Sequence, residues 1–121
     1  MTVLDASAVL AFLKEEPGRE VVEEALGGDT HISAVNWSET AQKVSAAGGD
    51  WAMARAVLKS FGLYIESVTE ADAERAAELW EPGGGLSLAD RLCLAVGERL
   101  DATILTADRA WGSSGNVRQI R

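Results

Sequence analysis

Thr103-Ile104-Leu105-Thr106-Ala107-Asp108 is the stretch that decides the fold. It is a short apolar run that ends on a carboxylate, and the chain opens with its counterpart, Thr2-Val3-Leu4-Asp5. Residues 2–5 and 102–105 read as short buried strands. Between them, strand and helix signals alternate. A helix through Leu13 follows the first strand, with Ser7 as its expected cap. Pro17-Gly18 breaks the chain before a helix over 18–26, which Gly27-Gly28-Asp29 ends. Thr30-His31-Ile32 predicts a second strand, and Ser33 caps a helix from Ala34 to about Ala47. Asp50 caps a helix over 51–61, with Ala54, Val57, Leu58 and Phe61 on one face.

Leu63-Tyr64-Ile65 predicts a third strand, and Thr69 with Asp72 forms a capping box before a helix over 70–80. Pro82-Gly83-Gly84-Gly85 is a flexible connector. Ser87 caps a last helix over 88–100, whose buried stripe is Leu88, Leu92, Ala95, Val96 and Leu100. Residues 117–120 predict a short edge strand. Strands that alternate with helices imply an α/β fold, a mainly parallel sheet covered by helices on both faces. Ligand sites in such sheets form beyond the carboxyl ends of the strands. Asp5 and Asp108 fall at two such ends.

The chain has 121 residues, which fits one domain over 1–121, and a 47% apolar fraction allows a single core. Its net charge is −8, from 19 acidic and 11 basic residues. That balance disfavours tight nonspecific binding to nucleic acid, which needs a basic footprint. It leaves room for a nuclease, because carboxylates that hold metal ions count as negative only in the empty chain. Cys93 is the single cysteine and lies in an apolar run, so it reads as a small buried hydrophobe. No apolar run reaches the ~18 residues of a membrane helix, and no secretory leader is visible. The expectation is a soluble, cytoplasmic protein with no membrane partner.

Two further acids, Glu39 and Asp90, lie early in predicted helices. Each of the four has a structural explanation alone: Asp5 a helix cap, Asp108 a turn former, Asp90 a complement to the helix dipole, Glu39 a solvated residue. Together they suggest convergence. Clustered carboxylates repel one another and need a cation to stay ionised. Oxygen ligands suit Mg²⁺ or Mn²⁺, and such an ion suits attack by water on a phosphodiester.

Four segments carry a resemblance. They are Val3-Leu4-Asp5-Ala6-Ser7-Ala8, Ile32 to Glu39, Leu86-Ser87-Leu88-Ala89-Asp90-Arg91, and Leu105 to Trp111. In this order they resemble a PIN domain, and within that group a VapC-type ribonuclease toxin. The resemblance implies a three-layer α/β/α sandwich, Mg²⁺- or Mn²⁺-dependent cleavage of RNA, a homodimer, and neutralisation by a cognate VapB-type antitoxin. It makes Asp5, Glu39, Asp90 and Asp108 the metal-binding and catalytic acids. Ser7 and Thr106 match polar positions that orient a carboxylate or water. Ala110 departs from the pattern, because many relatives carry an acid there, and this bears on a second ion.

Arg91 and Arg109 each follow a site acid and are candidates for gripping phosphate; Lys14, Lys43 and Arg118 are weaker ones. His31 is not expected to act as a base. Most of the four tryptophans suit core or interface packing more than base stacking, with Trp111 anchoring the last loop. Three rival readings remain: a nuclease acting on DNA, a noncatalytic interaction domain on the same fold, and a phosphoacceptor domain. The last wants paired acids at the first strand end and a late lysine, and no lysine follows Lys59.

Overall fold

The computed structural model describes residues 1–121. In chain order it contains β1 (Thr2–Leu4), α1 (Ala6–Leu13), α2 (Arg19–Leu26), β2 (Thr30–Ser33), α3 (Ala34–Ala46) and α4 (Trp51–Ser60). There follow β3 (Tyr64–Glu66), α5 (Glu70–Glu78), α6 (Leu88–Arg99), β4 (Thr103–Thr106), a 3₁₀ turn (Arg109–Trp111) and β5 (Val117–Gln119). All five strands pair in parallel, in the order β3-β2-β1-β4-β5. Leu4 stands opposite Ile32 on one side and Leu105 on the other.

The chain builds β1, β2 and β3 outward in one direction. It then returns through α5 and α6 to add β4 on the far side of β1. The strand order therefore reverses between β1 and β4, and a crevice opens beyond their carboxyl ends. Asp5 leaves β1 at this point, and Thr106 closes β4 beside it.

Alternation along each strand divides the core. Leu4, Ile32 and Leu105 face one way and pack with Val9, Val22, Leu26 and Leu58, from α1, α2 and α4. Val3 and Ile104 face the other way and pack with Cys93 of α6 and Trp111. Each fully buried Leu, Ile or Val contributes about 1.5–3 kcal/mol, so these two layers fix the sheet between its helices. Gly97 brings α6 close to the sheet, since a Cβ there would collide with the Ile104 side chain.

Three details differ from the sequence expectation. Asp5, not Ser7, is the N-cap of α1: its backbone is extended and its carboxylate accepts from the Ala8 amide. Ser7 already lies inside the helix, which frees its hydroxyl for other work. Leu88 is exposed rather than part of the α6 stripe; it is the first residue of the helix. Of the face expected on α4, only Leu58 is buried; Val57 and Phe61 keep 40% and 36% of their surface exposed. The caps at Ser33, Asp50, Thr69 and Ser87 occur as read, the last two as full capping boxes. No helix is long and apolar enough to cross a membrane.

Candidate active site

Asp5 is 4% exposed, and three donors converge on its carboxylate. The Ala8 amide donates to its Oδ1 at 2.8 Å, as the helix cap. The Ser7 hydroxyl lies 2.8 Å from both of its oxygens, and the Thr106 hydroxyl donates to Oδ2 at 2.7 Å. Those hydroxyls are themselves fixed. Ser7 Oγ accepts from the Ala107 amide at 2.9 Å, and Thr106 Oγ1 accepts from the Asp108 amide at 3.0 Å. The end of β1, the start of α1 and the exit of β4 are thus stitched together around one carboxylate.

No basic side chain pairs with Asp5, Asp90 or Asp108. Burial pushes the Asp5 pKa from its ordinary 3.8 to about 6, against the pull of the Thr106, Ala8 and Ser7 donors, and the charge of Asp90 adds to the rise. The fully buried Cys93 reports the same field. Its thiol is pushed well above the ordinary range, first by burial and then by the charges of Asp5, Asp90 and Glu39. The charges of three acids, from the β1–α1 junction, α3 and α6, thus reach this one thiol in the core.

Each of the other acids also has local work. Asp90 completes a capping box: its Oδ2 accepts from the Ser87 amide at 2.9 Å. Glu39 accepts from Asn36 Nδ2 at 3.2 Å through Oε1, and Lys43 Nζ stands 3.6 Å from Oε2. Asp108 lies on the exposed rim, where its Oδ1 accepts from the Ala110 amide at 2.9 Å and caps the 3₁₀ turn. No group of three His, Cys, Asp or Glu side chains stands close enough to form a ready-made metal cage.

The two arginines part company. Arg91 turns toward α5 and donates to the Ala76 carbonyl at 2.8 Å, so its guanidinium holds two helices together. Arg109 is exposed and makes no ion pair. His31 lies between the carboxylates of Asp29 and Glu66, at 2.7 and 2.8 Å, on β2. Trp37 and Trp51 pack edge to face, and Trp111 is buried in the core.

One site residue escaped the sequence reading. Asn36 is fully buried, and its amide touches both Glu39 and the backbone just before Asp90. The signal was present as Ser33, Asn36 and Glu39 at spacings of three, which line one helix face.

The donors suit a hard divalent cation. They are carboxylate oxygens, without thiolate or imidazole, and the buried Asp5 lacks a compensating positive charge. Mg²⁺ keeps several of its waters, so it does not require a preassembled cage.

Fold and site together define a parallel three-layer α/β protein with an acidic crevice at its switch point. The PIN domain family matches residues 2–113, and the chain belongs to it. This is a nuclease family whose members generally use divalent metal ions. Among solved structures, the chain is similar to one in a toxin–antitoxin complex from Klebsiella pneumoniae, with 17% identity, TM-score 0.82, and 100% and 98% of the two chains covered. It is similar to VapC20 from Mycobacterium tuberculosis, a sarcin–ricin loop cleaving toxin, with 16% identity, TM-score 0.68 and 88% of each chain covered. A third is VapBC2 from Rickettsia felis, bound to a DNA fragment of its promoter, with 19% identity, TM-score 0.70, and 98% and 97% covered. Among curated proteins, no sequence matches the chain.

Proposed function

We propose that this protein is a divalent-metal-dependent endoribonuclease and the toxin of a type II toxin–antitoxin pair. The observation that carries the reading is Asp5: a buried carboxylate at the sheet's switch point, fixed by three donors and left without a basic partner. Asp5, Asp90 and Glu39 would hold Mg²⁺ or Mn²⁺, with Asp108 at the rim. When bound, such an ion supplies Lewis acidity toward water and the phosphate oxygens.

The chain's own residues do the rest. Ser7, Thr106 and the Ala8 amide donate to Asp5 and favour its ionised form, which is the form that binds a cation. Their own hydrogen bonds to the Ala107 and Asp108 amides fix the aim of that carboxylate. Arg109, exposed and without an ion pair next to Asp108, would grip a phosphate of the substrate. RNA with accessible backbone and bases, as in a loop, suits an open crevice of this kind. The structural neighbours, one in a toxin–antitoxin complex and one a sarcin–ricin loop cleaving toxin, support the toxin role. They support a VapB-type antitoxin as partner, and a homodimer remains part of the proposal. The −8 charge suits a basic partner segment.

The test compares labelled RNA and DNA of one sequence, each with Mn²⁺, with Mg²⁺ and with chelator. Cleavage of RNA alone, lost with chelator and in Asp5→Asn, is the expected result. Cleavage of DNA in preference to RNA would establish the DNA nuclease reading instead. A folded protein that cleaves neither would leave only the interaction domain.

A further inference from the structure

We propose that Asn36 is a positioning residue, whose buried amide sets the separation between the Glu39 carboxylate on α3 and the Asp90 turn of α6. The inference rests on the nuclease reading above. Asn36 is fully buried, and each polar atom of its side chain is engaged. Its Oδ1 accepts from Ser33 Oγ at 2.5 Å. Its Nδ2 donates to Glu39 Oε1 at 3.2 Å and to the Ala89 carbonyl at 3.3 Å. A carboxamide has two N–H donors, so both are used. Ser33 also caps α3 by accepting from the Asn36 amide at 3.1 Å, which clamps the residue at its base.

The two acceptors belong to different helices. Glu39 lies one turn along α3, while Ala89 immediately precedes Asp90 on α6. One planar group thus spans the crevice floor and ties both acidic elements to a common point. Glu39 has a competing partner in Lys43, whose Nζ stands 3.6 Å from Oε2 and whose side chain is 54% exposed. Without Asn36, Lys43 is the sole remaining partner of Glu39, and it lies on the solvent side. The carboxylate then turns away from Asp90. Outer partners of ligating carboxylates act in this way, by aim rather than by contact with the ion.

Asn36→Leu tests this, since it is close to isosteric and removes both donors; Asn36→Ala serves if the first variant does not fold. Mn²⁺ affinity is measured by titration calorimetry, and kcat and KM on RNA separately. The orientation of Glu39 is read from a crystal structure of the metal-free variant. The expected result is Mn²⁺ binding weakened about 10- to 100-fold, a lower kcat at nearly constant KM, and Glu39 turned toward Lys43. In a Glu39→Gln background the same substitution should change affinity by less than about twofold, because the two residues act as a unit. Wild-type affinity with an unmoved Glu39 in a folded variant overturns the proposal. So does an equal loss in the Glu39→Gln background, or the failure of both variants to fold, which makes Asn36 purely structural. A wild-type protein that neither binds Mn²⁺ nor cleaves RNA defeats the nuclease reading instead. The crystallographic position of Glu39 then decides the clip by itself.

Discussion

Replacing Asp5 by Asn should make the metal-free protein more stable at neutral pH, although it removes the best-held group in the site. The reason is that burial raises the pKa of this carboxyl from 3.8 to about 6. At about 1.4 kcal/mol per pH unit, that gap costs the folded state about 3 kcal/mol once Asp5 is ionised. The sign follows from proton binding. Below 3.8 both states hold the proton and the term vanishes. Between 3.8 and about 6 the unfolded chain has lost its proton while the folded chain retains it, so stability falls as pH rises. Above about 6 the full cost is present. Asn carries no charge, but its amide cannot accept the proton that Thr106 now gives to Oδ2. At about 1 kcal/mol for each disrupted hydrogen bond, the net gain at pH 7.5 is about 1–2 kcal/mol. That raises the melting temperature by about 3–8 °C in a domain of this size.

The assay is thermal or urea unfolding of both proteins with chelator, from pH 4 to pH 8. The stability difference should open across the window between 3.8 and about 6 and stay flat above it. Saturating Mn²⁺ should reverse the order, since an ion at 100 times its dissociation constant stabilises the wild type by about 2.7 kcal/mol. A difference that does not vary with pH, or a variant less stable than wild type at pH 7.5 with chelator, would refute the reasoning.

Gly97→Ala should destabilise the fold by about 1–3 kcal/mol, because the added Cβ collides with the Ile104 side chain and α6 must back away from β4; urea unfolding measures it. Arg109→Ala should leave stability within about 0.5 kcal/mol. It should weaken RNA binding and lower the salt slope by about 0.7, the loss of one phosphate contact on a single strand, as read by fluorescence titration against salt. Asp72 is buried; burial raises its pKa, but the hydrogen bonds from Arg99 and Thr69 outweigh this and hold it below the ordinary value. Its contribution is therefore present above pH 3.8 and is lost as pH falls below it. Asp72→Asn should flatten acid unfolding in that range, which a pH titration followed by circular dichroism would record.

Much of the design was legible because its signals are local. Strand runs, capping residues and glycine breaks depend on neighbours a few positions away, so the order of elements and most helix starts could be read directly. Asp5 and Asp108 at strand ends were visible for the same reason. The cap of α1 was misread because Asp5 and Ser7 both suit an N-cap by type. Only the backbone angle at Asp5, extended into the start of the helix, assigns the role. Leu88 and the outer face of α4 were placed inside because periodicity shows which residues share a face, not whether another element covers it.

The sequence by itself determined the class of sheet and the family, and it supplied the candidate acids, since these rest on residue type and spacing along the chain. Tertiary structure alone decided what those acids experience. Thr106 meets Asp5 only because β4 lies beside β1, and Ser7, two residues from Asp5, is held by the Ala107 amide across the same junction. Arg91 is drawn to α5, and Asn36 joins α3 to α6, through contacts 15 and 53 residues apart in the chain. Burial, and with it the raised pKa of Asp5, is a property of everything packed around a group, and no short stretch of sequence encodes it.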